Sequence, residues 1–392
     1  MTDYAKRSLI VHEQLRGKIA MTSKLPLESQ DDLSIAYTPG VASVCQEIDR
    51  NPTRARDLTI KRNTVAIVSD GSAVLGLGNI GPLAALPVME GKALLFKEYA
   101  DIDAWPLCLD TQDTAEIIET VRRIAPVFGG INLEDIGAPR CFEIEAQLQD
   151  LGIPVFHDDQ HGTAIVLLAA LINASRVTGR PLDEMRVVVV GAGAAGSAIA
   201  QLLRCVNFDP DVCTPVRDII ICDSKGIISR DRNELSPEKQ DLLKYTNRDN
   251  KSGTFHDALK GADVFIGVSK GGLLSGDDVK SMNDDPIIMA MANPTPEIMP
   301  DEARAAGAAI VGTGRSDFPN QVNNVLAFPG IFRGALMAQA SRITPKMKLA
   351  AAYALADSIE NPTVDKILPS PLEKHVAHQL ARAVAVVAVQ GG

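Results

Sequence analysis

Apolar positions along the chain fall alternately into short β-branched runs and into segments with helical spacing. The stretch TVAIVSDGSAVLGLG, residues 64–78, predicts a strand, an Asp-Gly turn and a second short apolar run. Residues 82–97 read as a helix, WPLCLDT as a strand, 112–124 as a helix with Ile117, Ile118, Val121 and Ile124 on one face, and 126–132 as a glycine-punctuated strand. After a helix over roughly 163–178 comes a second series: MRVVVVGAGAAGSAIAQLL, RDIIICDSKG, GADVFIGVSKGG, DPIIMAMANPTP and GAAIVGTG predict four or five buried strands. Such alternation of strand and helix predicts α/β architecture. We expect an N-terminal α/β domain over 1–160 and a C-terminal Rossmann-type, doubly wound parallel sheet over 161–392, with the boundary near 155–162. Helices expected over about 345–360 and 371–389 would pack back across both domains.

Composition narrows the function classes. A chain of 392 residues can bury two cores, and 46% hydrophobic with 22% charged residues is ordinary for a globular protein. A net charge of −10 points away from nucleic acid. No stretch approaches the ~20 apolar residues of a membrane span, and MTDYAKRSLIVHEQ lacks a signal-peptide pattern, so a cytoplasmic protein without membrane contact is expected. The six cysteines are scattered with no Cys-x-x-Cys pair and read as reduced and mostly structural.

The chemistry starts at Gly191-Ala192-Gly193-Ala194-Ala195-Gly196, which follows an apolar strand and opens a helix. This is the dinucleotide fingerprint in its required setting: a tight turn, a close backbone approach to pyrophosphate, and a helix packed close to its strand. The next strand ends in Asp223, whose carboxylate would accept from the ribose hydroxyls and so leans the cofactor towards NAD. However, Asp223 lies farther along than the usual spacing of about 20 residues, because CVNFDPDVCTPV is inserted, and Ser224 and Lys225 can instead meet the 2′-phosphate of NADP.

Two acidic pairs sit at the ends of apolar segments, Glu134-Asp135 in FGGINLEDIGAP and Asp158-Asp159 in IPVFHDDQHGTA. Adjacent carboxylates repel unless a cation lies between them, and oxygen ligands suit Mg²⁺ or Mn²⁺. The plainer reading makes them loop caps, with Asp158 or Asp159 capping a helix that starts near Gly162. His157 and His161 read as packing or hydrogen-bonding residues rather than ligands.

Motifs in order along the chain then carry a resemblance. Tyr37-Thr38-Pro39-Gly40-Val41-Ala42, SDGSAVLGLGNIG, EGKALLFK, NLEDIGAP, VFHDDQHGTA, GAGAAG, ANPTPE and PNQVNNVLAFPG resemble those of malic enzymes, in the short prokaryotic form. The resemblance implies oxidative decarboxylation of (S)-malate to pyruvate and CO₂ with NAD or NADP, metal ligation by Glu134, Asp135 and Asp159, Lys92 as general base and Tyr37 as general acid. It also implies Asn293 and Asn324 as substrate-binding amides, Asn293 and Thr163 near the cofactor, and a homodimer. The chemistry asks for such roles: a base for the C2 hydroxyl, a Lewis acid for the enolate left by CO₂, and a weak acid to protonate C3. Without the resemblance, Tyr37 would read as a buried turn tyrosine, Lys92 as a solvated helix lysine, Asn293 as a turn residue and Asn323-Asn324 as a helix cap. There is one departure. Where animal malic enzymes carry a Glu-Arg pair whose arginine clamps a substrate carboxylate, this chain has Ser72-Ala73. A partner subunit or the Asn293/Asn324 pair would then supply the clamp. Competing expectations are a malolactic enzyme releasing lactate, a non-catalytic dinucleotide and dicarboxylate sensor, and an amino-acid dehydrogenase, which leaves the paired carboxylates unexplained.

Overall fold

The computed structural model describes residues 4–74, 76–208 and 211–390. Leu75, in the second apolar run, and Asp209-Pro210, in the insertion, lie outside the described residues. Two parallel sheets form. The first has order β2-β1-β3-β4, from β1 Thr64–Ser69, β2 Asp103–Cys108, β3 Gly130–Leu133 and β4 Val155–His157. The second has order β10-β9-β8-β5-β6-β7, from β5 Arg186–Val190, β6 Asp218–Asp223, β7 Gly226–Ile227, β8 Val264–Gly267, β9 Ile287–Ala290 and β10 Ile310–Thr313. All pairings are parallel except the short β6-β7 return. β1, β3, β4, β8, β9 and β10 are buried along their whole length, as expected where helices cover both faces of a sheet.

The helix Asp158–Thr178 joins the sheets. It begins where β4 ends, earlier than its apolar spacing predicts, and stops at Gly179, whose φ of 72° suits the left-handed position after a helix. By length and composition it could cross a membrane, yet 67% of that stretch is buried in the protein. Its residues 164–174 belong to one hydrophobic core that also takes Val65 and Ile67 of β1, Val187 and Val189 of β5, and Phe328 and Phe332. The C-terminal helices are anchored by the same core: Pro345–Ala356 packs on Asp158–Thr178, and His375–Gln390 packs on Phe328–Met337 and on the Gly81–Ala100 helix of the first sheet. These helices therefore bind the two sheets together, as the sequence predicts.

One expectation needs correction. Cys205 and Cys213 are joined by a disulfide, because the inserted segment turns back and brings their Cα atoms to 5.9 Å, within bridging range. The other four cysteines are free. The second apolar run after the Asp-Gly turn does not extend the sheet; Val74 makes only an isolated bridge to Gly78 before the Gly81–Ala100 helix begins.

Residues 4–63 differ from everything after them. They form short helices, including Tyr4–Leu15, Gln30–Ala36 and Val41–Arg50, yet none of these residues is buried. Leu9, Ile10, Val11, Leu15, Leu33 and Ile35 are all exposed.

Candidate active site

Parallel strands collect their carboxyl ends along one edge, so the residues just after each strand become neighbours. Between the two sheets such residues line a cavity of about 1000 Å³. Glu134 and Asp135 follow β3, Asp159 follows β4, Val268 and Ser269 follow β8, Met291, Ala292 and Asn293 follow β9, and Gly314 follows β10. Ala195, Thr163, Asn323, Asn324 and Lys92 also line it.

At its centre Lys92 is 7% exposed, with Nζ 2.5 Å from Asp158 Oδ2 and 2.8 Å from Glu134 Oε1. It also lies 4.1 Å above the ring of Phe328. The reading as a solvated lysine therefore fails. Burial acts to lower the Lys92 pKa, but Asp158, Glu134 and Asp159 outweigh it and raise it above the ordinary lysine value. The ionised carboxylates thus favour the ammonium form of Lys92, whereas a cation held among them would favour the neutral amine.

The carboxylates are shifted upward as well. Burial, followed by crowding with one another, raises Asp135; Glu134 and Asp159 are also raised by burial, with Lys92 opposing, and Asp158 is pushed up to about 7 by burial despite Lys92. Glu134, Asp135 and Asp159 each offer an oxygen within 4.8 Å of the others'. Asp135 Oδ2 is buried without a hydrogen-bond partner, while Asp159 Oδ2 accepts from the Asp135 backbone N–H at 2.8 Å. Asp135 holds a φ of 54°, a backbone state costly for a non-glycine residue and maintained by its surroundings. Oxygen donors crowded around an unpaired carboxylate oxygen fit a divalent cation such as Mg²⁺ or Mn²⁺.

Asp158 and Asp159 lie in the first turn of their helix, and the residue before it, His157, makes no side-chain cap; capping does not account for the acidic pair. Asp158 instead folds back over the turn. A Cβ at Gly162 would sit 1.9 Å from Asp158 Oδ1, so only glycine fits there, and Asn324 Nδ2 donates to Asp158 Oδ2 at 2.6 Å. Asn323, not Asn324, is the helix cap, accepting from the Val325 N–H. Below the turn, Glu145 accepts from the His157 backbone N–H at 3.2 Å and pairs with His161 Nε2 at 2.9 Å. Burial acts to raise Glu145, yet His161 and Lys348 hold it down to about 2. His157 is fully buried with no hydrogen bond to either ring nitrogen, Nε2 lying 3.8 Å from Asp159 Oδ2, and burial pushes it down to about 4.

The dinucleotide loop sits at the same edge. Gly191 has φ 125°, and a Cβ at Gly196 would meet the Gly191 carbonyl at 1.8 Å, so this helix lies against its strand as the fingerprint requires. Nothing lies within 4 Å of a Cβ built on Gly193, which leaves its backbone open to approach. Gly193 precedes the Ala194–Leu203 helix, within which Ala195 is the loop residue that faces the cavity; Ala192 is half-buried beside it. Asp223 is already occupied: Oδ1 accepts from Arg232 at 2.8 Å and from the Lys225 N–H at 2.9 Å, and Oδ2 from Arg232 at 3.0 Å and Lys239 at 2.6 Å. Burial opposes ionisation, but these partners hold Asp223 down to about 2. A carboxylate so engaged is poorly free to accept from a ribose, which removes the main ground for the lean towards NAD.

The structure thus brings together Lys92, Glu134, Asp135, Asp159, Thr163, Ala195, Asn293 and Asn324. It does not bring Tyr37 to them: its side chain is 66% exposed, neither buried in a turn nor among the described residues lining the cavity. At Ser72 the hydroxyl accepts from Arg140 and from the Gly137 N–H, while Arg140 also pairs with Asp70 at 2.8 Å, so this arginine is tied into the scaffold. Asp158 as the partner of Lys92, and Ser8, His12 and Lys18 in the cavity wall, escaped the sequence reading, and no local pattern marks the last three.

Comparisons with known proteins match both halves of the chain. The malic enzyme NAD-binding domain model matches residues 160–389, and the malic enzyme N-terminal domain model matches 16–116 and 111–149. The chain is 52% identical to a bifunctional malic/malolactic enzyme of Bacillus subtilis over 99% of this chain and 93% of that protein. It is also 52% identical to an NAD-dependent malic enzyme of Geobacillus stearothermophilus, over 100% of this chain and 80% of that one. The crystal structure of the NAD-dependent malic enzyme of Thermotoga maritima superposes with a TM-score of 0.91 at 48% identity, covering 96% of this chain and 98% of that one. The chain belongs to the malic enzyme family.

Proposed function

We propose that the protein oxidises and decarboxylates (S)-malate to pyruvate and CO₂ with reduction of NAD or NADP, using a divalent cation held by Glu134, Asp135 and Asp159. The observation that carries this reading is the buried Lys92 set against those carboxylates on the edge that also holds the dinucleotide loop. When bound, the cation would supply Lewis acidity for charge on the substrate's C2 oxygen, and a dinucleotide held by the loop at 191–196 would supply a hydride acceptor. Lys92, as the neutral amine that a cation held by the acidic triad would favour, takes the proton of the C2 hydroxyl, with Asp158 hydrogen-bonded to it at 2.5 Å. Asn324 keeps Asp158 aimed at the lysine. Asn293 and Thr163 line the wall where substrate and nicotinamide meet.

Protonation at C3 is assigned to Tyr37, delivered by the second subunit of a homodimer. Its support is the N-terminal segment over residues 4–63, where no residue is buried and several apolar side chains face solvent. Mixing inactive Tyr37→Phe and Lys92→Ala proteins under conditions that exchange subunits tests this. Recovered activity supports delivery across the dimer, and failure of exchanged heterodimers to regain any activity excludes it.

The reaction itself is tested by initial rates with malate, Mn²⁺ or Mg²⁺ and either NAD or NADP, assaying reduced cofactor, pyruvate and lactate. Reduced cofactor with pyruvate is expected. Lactate without free reduced cofactor would establish the malolactic reading, which the bifunctional Bacillus subtilis relative keeps open. Tight binding of malate and cofactor with no turnover would establish the sensor.

A further inference from the structure

The cavity has an unbalanced charge. Glu134, Asp135 and Asp159 line it, and among the described lining residues the lysines are Lys92 and Lys18. Lys92 is committed to Asp158 and Glu134. A bound divalent cation offsets most of the acidic triad, but a substrate with two carboxylates brings two further negative charges into a partly desolvated space, where an unpaired charge is costly. Ser72-Ala73 offers no guanidinium, and Arg140 is engaged by Asp70.

Lys18 lines the same cavity. The chain reaches it through Arg16 and Gly17, with φ of 56° and 113°, a turn that ends the Tyr4–Leu15 helix and directs the following residue onto the Gly81–Ala100 helix. There the Lys18 backbone N–H donates to Glu90 Oε2 at 3.1 Å and Nζ donates to the Pro87 carbonyl at 2.5 Å. Nζ would lie only 3.4 Å from a Cβ on Gly91, so the glycine next to Lys92 leaves room for the ammonium. One of its three donors is used on Pro87, leaving two for an anion. Both hydrogen bonds fix the residue while leaving its charge without a carboxylate hydrogen-bonded to Nζ. His12, the other basic group in this part of the wall, has its Nδ1 on the Ser8 carbonyl at 2.8 Å.

We propose that Lys18 is the carboxylate-binding cation of this enzyme, replacing the missing arginine and selecting for a dicarboxylate substrate. This rests on the malate reading above. It assigns to the turn after the first helix a binding role that no pattern in the sequence signals.

The test compares Lys18→Gln and Lys18→Arg with the wild type in three measurements: malate KM and kcat, Mn²⁺ affinity in the absence of substrate, and calorimetric binding of tartronate, a non-reactive dicarboxylate, with Mg²⁺ present. Loss of one charge-assisted contact predicts that Lys18→Gln raises KM and weakens tartronate by about 10- to 100-fold, with kcat changed far less. Mn²⁺ affinity should be unchanged, and Lys18→Arg should recover most of the loss. An unchanged KM and unchanged tartronate affinity in Lys18→Gln would overturn the proposal, as would a parallel loss of Mn²⁺ affinity, which would make Lys18 a support for the metal site. If the wild type turns over no malate, the reaction reading falls and tartronate binding alone decides the role of Lys18.

Discussion

Each sheet ends a strand in an aspartate that pairs closely with a lysine, and the two pairs behave oppositely. Asp158, after β4, lies 2.5 Å from Lys92 yet is pushed up to about 7 by burial; Asp223, ending β6, lies 2.6 Å from Lys239 and is held down to about 2. The difference lies in the surroundings. Around Asp158, four carboxylates share one ammonium in a buried space, so the site has a deficit of positive charge. Around Asp223, the three cations Arg232, Lys239 and Lys225 face two acids, Asp223 and Glu234, so the site carries a small excess. The first environment calls for a cation and the second for an anion. A Lys–Asp contact by itself therefore says little about which ligand a strand end will hold.

The comparison can be broken most severely at Lys92. Lys92→Ala should lower kcat by about 10²- to 10⁴-fold, the range for loss of a positioned base, while leaving dinucleotide affinity intact by fluorescence titration. A smaller drop would place the base elsewhere. Next, Asp135→Asn should weaken Mn²⁺, followed by its paramagnetic signal, by more than the 10- to 100-fold typical of losing a supporting group. Equal Mn²⁺ affinity in mutant and wild type would remove Asp135 from the ligand set. At the other sheet, Lys239→Gln should lower kcat/KM for NADP relative to NAD by about tenfold, if the surplus positive charge meets a 2′-phosphate. An unchanged ratio would mean that the cations serve only to hold Asp223.

The smallest effect is on stability. Asp158 and the acidic triad have folded-state pKa values raised above those of unfolded carboxylates. Their contribution is therefore fully present below about pH 4 and is lost as pH rises through about 7 and beyond. Without metal, the Tm should fall over that range for this group of residues. Saturating Mg²⁺ should restore it more at high pH than at low pH, because the cation binds the ionised forms. At 100 times Kd the gain is about 2.7 kcal/mol, several degrees in a thermal scan. A metal-induced shift independent of pH would contradict the crowded-carboxylate account.

Much of this was legible from local patterns. The apolar runs located strands of both sheets, and the strand-glycine-helix order at 187–203 located the dinucleotide loop, because period and turn chemistry act within a few residues. Carboxylates placed directly after strands pointed to the shared edge, since a parallel sheet leaves them no other. The start of the Asp158–Thr178 helix was misjudged because its first turn is polar, and the Cys205–Cys213 bridge because it depends on how an insertion folds back.

By itself, then, the sequence determined the architecture, the cofactor loop and the acidic pairs: each is written in neighbouring residues whose spacing matches a backbone geometry. Only the tertiary structure decided what the charges do. Lys92 and Asp158, 66 positions apart, become a buried pair only because β4 and the Gly81–Ala100 helix converge at one end of the sheet. Asp223 is neutralised by residues on the chain after it, and Lys18 enters the cavity wall through two contacts to a helix about 70 residues away. Charge acts through space with a strength set by burial, and a linear pattern records neither the distance nor the dielectric.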